Sequence, residues 1–355
     1  MKVTVSKYLN VRVGAPSVNA PCFQYLAPGS VIEVEDTLVV GDSYNDINKW
    51  FKGLDGGYYW SGGILSEFPW WISDFGIDEL WNYTKGEGAC VILLDSGLAE
   101  CADITIDRIK LKTSVLDNDD GTDKFGHGTL MSSIVCGNGS FIKGIAPNCS
   151  IISIKIANSK DLLNANFIKG LDRIDRIISE TPNIRFIVNC SLALKGLLDS
   201  EKASIISRIK SLSDKNVIFS VAAGNDYLKY PTFLESQSEF TISSAGITKN
   251  NQTGLYYRLF DSNVWPDVSV TPPGTFPSSQ LLPKSVSGSG SSHACAYNSG
   301  LMAILVSLKP NIKINEIKSL YQQLITTTSD PNDSQIQNKI IDKQKLLQAI
   351  KNINV

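Results

Sequence analysis

Histidine is nearly missing from this chain: His127 and His293 are the only two imidazoles in 355 residues. A zinc site would have to be completed by lone cysteines or carboxylates, which makes metal-centred hydrolysis a poor reading. No C-x-x-C pair occurs among the seven cysteines, Cys22, Cys90, Cys101, Cys136, Cys149, Cys190 and Cys295. Their odd number and the length of the chain argue against a disulfide scaffold and for reduced thiols. Neither sign of charge dominates, with 33 basic against 35 acidic side chains and a formal net charge of −2. With no run of either sign, neither nucleic acid nor an anionic membrane is expected as a partner. No window reaches the roughly 18 consecutive apolar residues of a membrane span. Met1-Lys2-Val3-Thr4-Val5-Ser6-Lys7 has neither the apolar stretch nor the small-residue cleavage site of a secretory signal. The expectation is a cytoplasmic protein.

What the chain does have is length, and 43% hydrophobic residues with which to fill more than one core. Its first 65 or so residues hold short alternating runs, Leu9-Asn10-Val11-Arg12-Val13 and Val31-Ile32-Glu33-Val34-Glu35, broken by turn formers at Gly14-Ala15-Pro16, Pro28-Gly29 and Asp55-Gly56-Gly57. That texture predicts a small all-β domain over 1–66. From Pro69-Trp70-Trp71 onward, apolar strands alternate with helical patterns, which predicts an α/β domain with a parallel sheet over 67–355. Buried strands are expected at 89–94, 151–156, 186–190 and 217–222, and helices from Phe167 to Ser179 and from Lys202 to Leu212. Two amphipathic helices, Asn315 to Leu324 and Lys343 to Ile350, close the chain.

Four polar segments stand at the ends of these elements: Leu94-Asp95-Ser96-Gly97, Gly126-His127-Gly128-Thr129, Ala222-Ala223-Gly224-Asn225, and Gly288-Ser289-Gly290-Ser291-Ser292-His293-Ala294. Alone, each is a turn or a cap with a local backbone job. Together they supply what nucleophilic catalysis requires. A serine hydroxyl attacks only when a base removes its proton, and the base needs an orienting partner on its other nitrogen. His293 follows Ser292 directly, and adjacent side chains at a helix start diverge by roughly 100°, so it cannot face that hydroxyl. His127 is the remaining base for such a site. Asp95 would hold its tautomer, and Ser292 would sit at a helix N-terminus, where a backbone amide can face developing negative charge.

The order Asp, His, Asn, Ser, carried by the motifs D-S-G, H-G-T, A-A-G-N and G-S-S-x-A, resembles the subtilisin-like serine peptidases. The spacings are 127−95 = 32, 225−127 = 98 and 292−225 = 67 residues. Gly144-Ile145-Ala146-Pro147 and Asn189-Cys190-Ser191-Leu192 resemble the linking segments of that family, so the likeness spans about residues 67–355. It implies a three-layer α/β fold, a parallel sheet with helices on both faces. It further implies Asp95 as orienter, His127 as general base, Ser292 as nucleophile and Asn225 as oxyanion donor. Ser191, Leu192 and Ala193, with Ala223 and Gly224, fall where the family lines its substrate site. Protein or peptide substrates and chemistry without a cofactor are implied as well. Three departures stand out: Ser291 replaces a threonine before the nucleophile, His293 replaces a methionine after it, and Ala193 replaces a glycine of the pocket strand. The segment after His127 through Ser140 is poor in carboxylates, which tells against the structural calcium of many relatives.

Residues 5–65 carry a second resemblance. Leu9-Asn10-Val11-Arg12, Leu26-Ala27-Pro28-Gly29, Trp50-Phe51-Lys52 and Gly57-Tyr58-Tyr59-Trp60 are similar to the bacterial SH3-like repeat. That likeness implies a small barrel in which Trp50, Tyr58, Tyr59 and Trp60 either form a peptide-binding groove for a partner protein or pack the barrel. The functional expectation is an intracellular serine endopeptidase, regulatory or processing, targeted by its N-terminal module. The alternative is a catalytically silent scaffold on the same fold.

Overall fold

The computed structural model describes residues 2–45, 47–64, 68–139, 142–159, 162–181, 184–250, 252–263, 267–280 and 285–353. Residues 66 and 67, the expected domain boundary, lie outside them. The chain folds as two compact units, Met1–Pro69 and Trp70–Val355.

The first unit is one antiparallel sheet of six strands: β1 (Lys2–Thr4), β2 (Leu9–Arg12), β3 (Cys22–Leu26), β4 (Val31–Tyr44), β5 (Ile47–Gly53) and β6 (Tyr58–Trp60). Their order is β1-β4-β5-β6-β2-β3. Alternation decides the core. Leu9 and Val11 of β2 point inward with Val3, Val5, Val34 and Phe51. Of the two readings of Trp50, Tyr58, Tyr59 and Trp60, a peptide-binding groove or packing of the small barrel, their burial matches the second. Trp50, Tyr59 and Trp60 are buried at 2%, 2% and 7% exposure and belong to the core, with Tyr58 half-buried against it. Each indole N–H is satisfied internally, Trp50 Nε1 by Asp42 O and Trp60 Nε1 by Ile47 O, both at 3.0 Å. They fill a core too small to do without large rings. The exposed aromatics of this unit are Tyr8, Phe23, Tyr25 and Tyr44.

The second unit opens with two one-turn helices, α1 (Trp70–Ser73) and α2 (Ile77–Leu80). Its sheet comprises β7 (Ala89–Asp95), β8 (Ile109–Ser114), β9 (Ser150–Lys155), β10 (Arg185–Cys190), β11 (Ile218–Ala222) and β12 (Thr241–Ser244). They run parallel in the order β12-β11-β10-β7-β9-β8. The long helices are α3 (His127–Cys136), α4 (Asn164–Glu180), α5 (Asp199–Asp214) and α6 (Ser291–Leu308). Strand periodicity assigns the faces. Cys90, Ile92 and Leu94 of β7 pack with Phe167, Leu171 and Ile174 of α4 and Ile205 and Ile209 of α5. The alternating Val91 and Leu93 are equally buried, on the side where α3 and α6 pack on each other and on β7. Each such buried side chain contributes roughly 1.5–3 kcal/mol, so both layers are held by apolar burial.

Antiparallel hairpins complete this unit: β13 (Ile247–Lys249) with β14 (Tyr256–Arg258), β15 (Thr275–Gln280) with β16 (Ser285–Ser289), and β17 (Ile325–Ser329) with β18 (Gln337–Ile341). The closing helices are α7 (Ile314–Leu324) and α8 (Lys343–Ile353). The strand order reverses at β7, which lies between β9 and β10. Open α/β sheets bind their ligands at the carboxyl end of such a strand. That end is Asp95.

Candidate active site

Asp95 is the last residue of β7, and every residue of that strand is buried. Its Oδ1 accepts the Ser96 N–H at 2.7 Å and faces His127 Nδ1, also at 2.7 Å. His127 opens α3 directly after Gly126, whose φ of 102° lies in the left-handed region that favours glycine. With Nδ1–H donated to the carboxylate, Nε2 is left as the acceptor. Burial, the largest single influence on this imidazole, works to lower its pKa. The Asp95 charge and hydrogen bond and the Asp123 charge outweigh burial and raise the pKa above 6.5.

A buried carboxylate that the sequence did not single out holds this pair together. Asp123 Oδ1 accepts from Ser96 Oγ at 2.9 Å, Phe125 N at 3.0 Å and Gly126 N at 2.6 Å. Its Oδ2 takes the Thr129 N–H at 2.9 Å and the Thr129 hydroxyl at 2.7 Å. Ser96 Oγ in turn accepts from Gly128 N at 2.9 Å. The turn after Asp95 and the first turn of α3 are thereby tied to each other. The available signal was an aspartate four residues before the histidine, the residue type that caps helix starts.

Ser292 is the second residue of α6, so its N–H has no intrahelical acceptor. Its Oγ donates to Ser191 O at 3.1 Å, while Ser191 Oγ donates to Ser292 O at 2.8 Å. Asp95, His127, Ser191, Leu192, Ala193 and Ser292 line one cleft of ≈ 200 Å³, whose remaining walls include Phe125, Ile156, Ala157 and Leu162. Three expected site residues, Ala223, Gly224 and Asn225, are not among its lining; Gly224 and Asn225 hydrogen-bond Ser291, which precedes Ser292. Asn225 is exposed, and its Oδ1 accepts the Ser291 N–H at 2.9 Å, which leaves Nδ2 as its donor. Gly224 N donates to Ser291 Oγ at 3.0 Å. Tyr227 and Ser289, which flank these groups in sequence, line a second, more open cleft of ≈ 820 Å³ with Arg258 and Phe260.

His293 lies apart from the hydroxyl chemistry. Its ring stacks on Phe276 with centroids 6.3 Å apart and planes at 15°, and neither nitrogen has a hydrogen-bond partner among the described residues. Burial first, and then the nearby His127, push its pKa down to about 3. Among the described residues, no three His, Cys, Asp or Glu side chains gather to hold a metal ion.

The model of the Subtilase family matches residues 86–343. Among curated proteins, Subtilisin-like protease 3 of Saccharomyces cerevisiae is 26% identical over 245 residues, covering 66% of this chain and 48% of that protein. The chain spans about half the length of the first curated relatives it matches, 48% and 56%. Among solved structures, the A-subunit of the AB5 toxin from E. coli matches with a TM-score of 0.64 at 19% identity, covering 80% of this chain and 99% of that one. The prenylagaramide maturation protease PagA matches with a TM-score of 0.61 at 20% identity, covering 78% and 98%. At these identities the structural likeness speaks to the fold.

Proposed function

This chain belongs to the subtilase family, and on that premise we propose that it is a serine-type endopeptidase acting on protein or peptide substrates through an acyl-enzyme. The observation that carries the reading is the Asp95–His127 pair at 2.7 Å, sharing one cleft with the Ser292 side chain. Rotation about the Ser292 Cα–Cβ bond exchanges the Ser191 carbonyl for His127 Nε2 as acceptor of the hydroxyl proton. Oγ then attacks the scissile carbonyl carbon, and the proton passes to Nε2. Asp95 holds the resulting imidazolium through Nδ1–H. The carbonyl oxygen gathers the displaced electron pair and is met by the Ser292 N–H and Asn225 Nδ2. Collapse expels the amine, which takes the proton from Nε2, and water repeats the sequence to release the acid. Because the base must be neutral, its raised pKa makes activity climb as pH rises through a value above 6.5. No step calls for a metal, calcium included.

The apolar walls at Phe125, Ile156, Leu162 and Leu192 support a substrate with an apolar side chain near the scissile bond. A dedicated processing role in a reducing, cytoplasmic setting fits the odd cysteine count. The N-terminal unit then serves as an SH3-like recognition module, with the exposed Phe23 and Tyr25 of β3 offering it a contact surface. A fluorophosphonate probe tests the core of the proposal: wild type is labelled, while Ser292→Ala and His127→Ala are not. Equal labelling of wild type and Ser292→Ala would sink it, and no labelling of either would support the silent scaffold.

A further inference from the structure

We propose that Asn263 is the positioning residue that holds the oxyanion loop, a role that rests on Asn225 being the oxyanion donor. Asn263 is fully buried, and its hydrogen bonds converge on the segment that carries Asn225. Its Oδ1 accepts the N–H groups of Asp226 and Leu228, each at 3.0 Å. Its Nδ2 donates to Ala223 O at 2.6 Å, and its backbone N–H to Gly224 O at 3.0 Å. The loop from 223 to 228 is therefore wrapped around one carboxamide, with Asn225 at its exposed turn. Gly224 permits the approach: its φ is 95°, and a Cβ there would stand 2.6 Å from Asn263 Nδ2.

The hub is itself anchored. Arg258 Nη1 donates to Asn263 O at 3.1 Å, its Nε to Asn338 Oδ1 at 3.0 Å and its Nη2 to Gln337 O at 2.7 Å. Asp330 Oδ2 accepts the Arg258 N–H and, at 3.1 Å, Asn338 Nδ2. Buried polar groups of this kind are rigid when every member is satisfied. The loop is fixed on its other side by Ser291, through Gly224 N–H and Asn225 Oδ1. An oxyanion donor works only when it is aimed beforehand at the place where charge develops. Asn263 holds both ends of the loop and Ser291 its middle at Gly224 and Asn225, and only Ser291 adjoins the nucleophile in sequence.

The test is a double-mutant cycle on the second-order rate of Ser292 phosphonylation by a fluorophosphonate. In that reaction Oγ–P forms, P–F breaks, and the phosphoryl oxygen takes the oxyanion position. Asn263→Asp keeps the acceptor for Asp226 and Leu228 but sets oxygen against oxygen at Ala223. It should slow labelling roughly 10- to 100-fold, less than the ~10²–10³ lost on deleting an oxyanion donor, a magnitude known from the subtilase family itself. In an Asn225→Ala background the same change should cost less than about 3-fold, because the two residues act as one unit. Should Asn263→Asp fail to fold by circular dichroism, Asn263→Ser carries the same cycle. Equal losses in both backgrounds, a wild-type rate for Asn263→Asp, or failure of both variants to fold would overturn the proposal while leaving the peptidase reading intact. Wild type labelled no faster than Ser292→Ala would overturn the peptidase reading, and this one with it.

Discussion

His293 stands beside the candidate nucleophile, where the family usually has methionine, and it is 5% exposed. A neutral imidazole with its pKa held near 3 is a liability in acid. Its folded value lies below the unfolded value of 6.5, so between the two the unfolded chain binds the extra proton. Stability from this site is complete above 6.5 and drains away as pH falls toward 3. By pH 4 the loss amounts to about 3 kcal/mol. Urea unfolding at pH 7 and pH 4 should show wild type losing that increment and His293→Met keeping most of it; parallel losses in the two would remove His293 as the cause. At this scale the sequence spoke clearly for Asp95, His127 and Ser292, because two imidazoles leave few ways to build a base. It was silent on Asp123 and Asn263, whose roles come from backbone amides that folding brings to them.

Helix α6 is buried along nearly its whole length, and small residues on it let neighbours approach. A Cβ at Gly300 would stand 2.7 Å from the Ile145 Cβ. Two effects of Gly300→Ala oppose each other: helix propensity gains up to ~1 kcal/mol, and overpacking costs about 1–3 kcal/mol. Packing should win, lowering stability by about 1–2 kcal/mol and the melting temperature by several degrees in a thermal scan. An unchanged or raised melting temperature would mean that Ile145 yields freely. Element ends were legible to within a few residues where apolar spacing was strong: Phe167 to Ser179 became Asn164–Glu180, and Lys202 to Leu212 became Asp199–Asp214. Strand β8 escaped notice because Ile109-Lys110-Leu111-Lys112 is an edge strand with lysines on alternate positions. The hairpins escaped because local sequence does not name a pairing partner.

The whole molecule is two units with separate cores. If the first is a recognition module, its surface acts on substrate choice and leaves the chemistry alone. Phe23→Ala with Tyr25→Ala, in the full chain, should leave fluorophosphonate labelling of Ser292 unchanged and slow digestion of a recognised protein substrate several-fold. An equal effect on both assays would place the exposed aromatics in the fold instead. By itself the sequence determined the family and the layering of the larger unit, because hydrophobic period and the order of four short motifs are local properties of the chain. Tertiary structure alone decided which aromatics fill the small core and which remain outside, since burial depends on the strand partner. It alone decided, too, that residues as distant as Ala223, Asn263 and Asn338 meet in one buried network. Those meetings are hydrogen bonds across long sequence separations, and no local pattern encodes them.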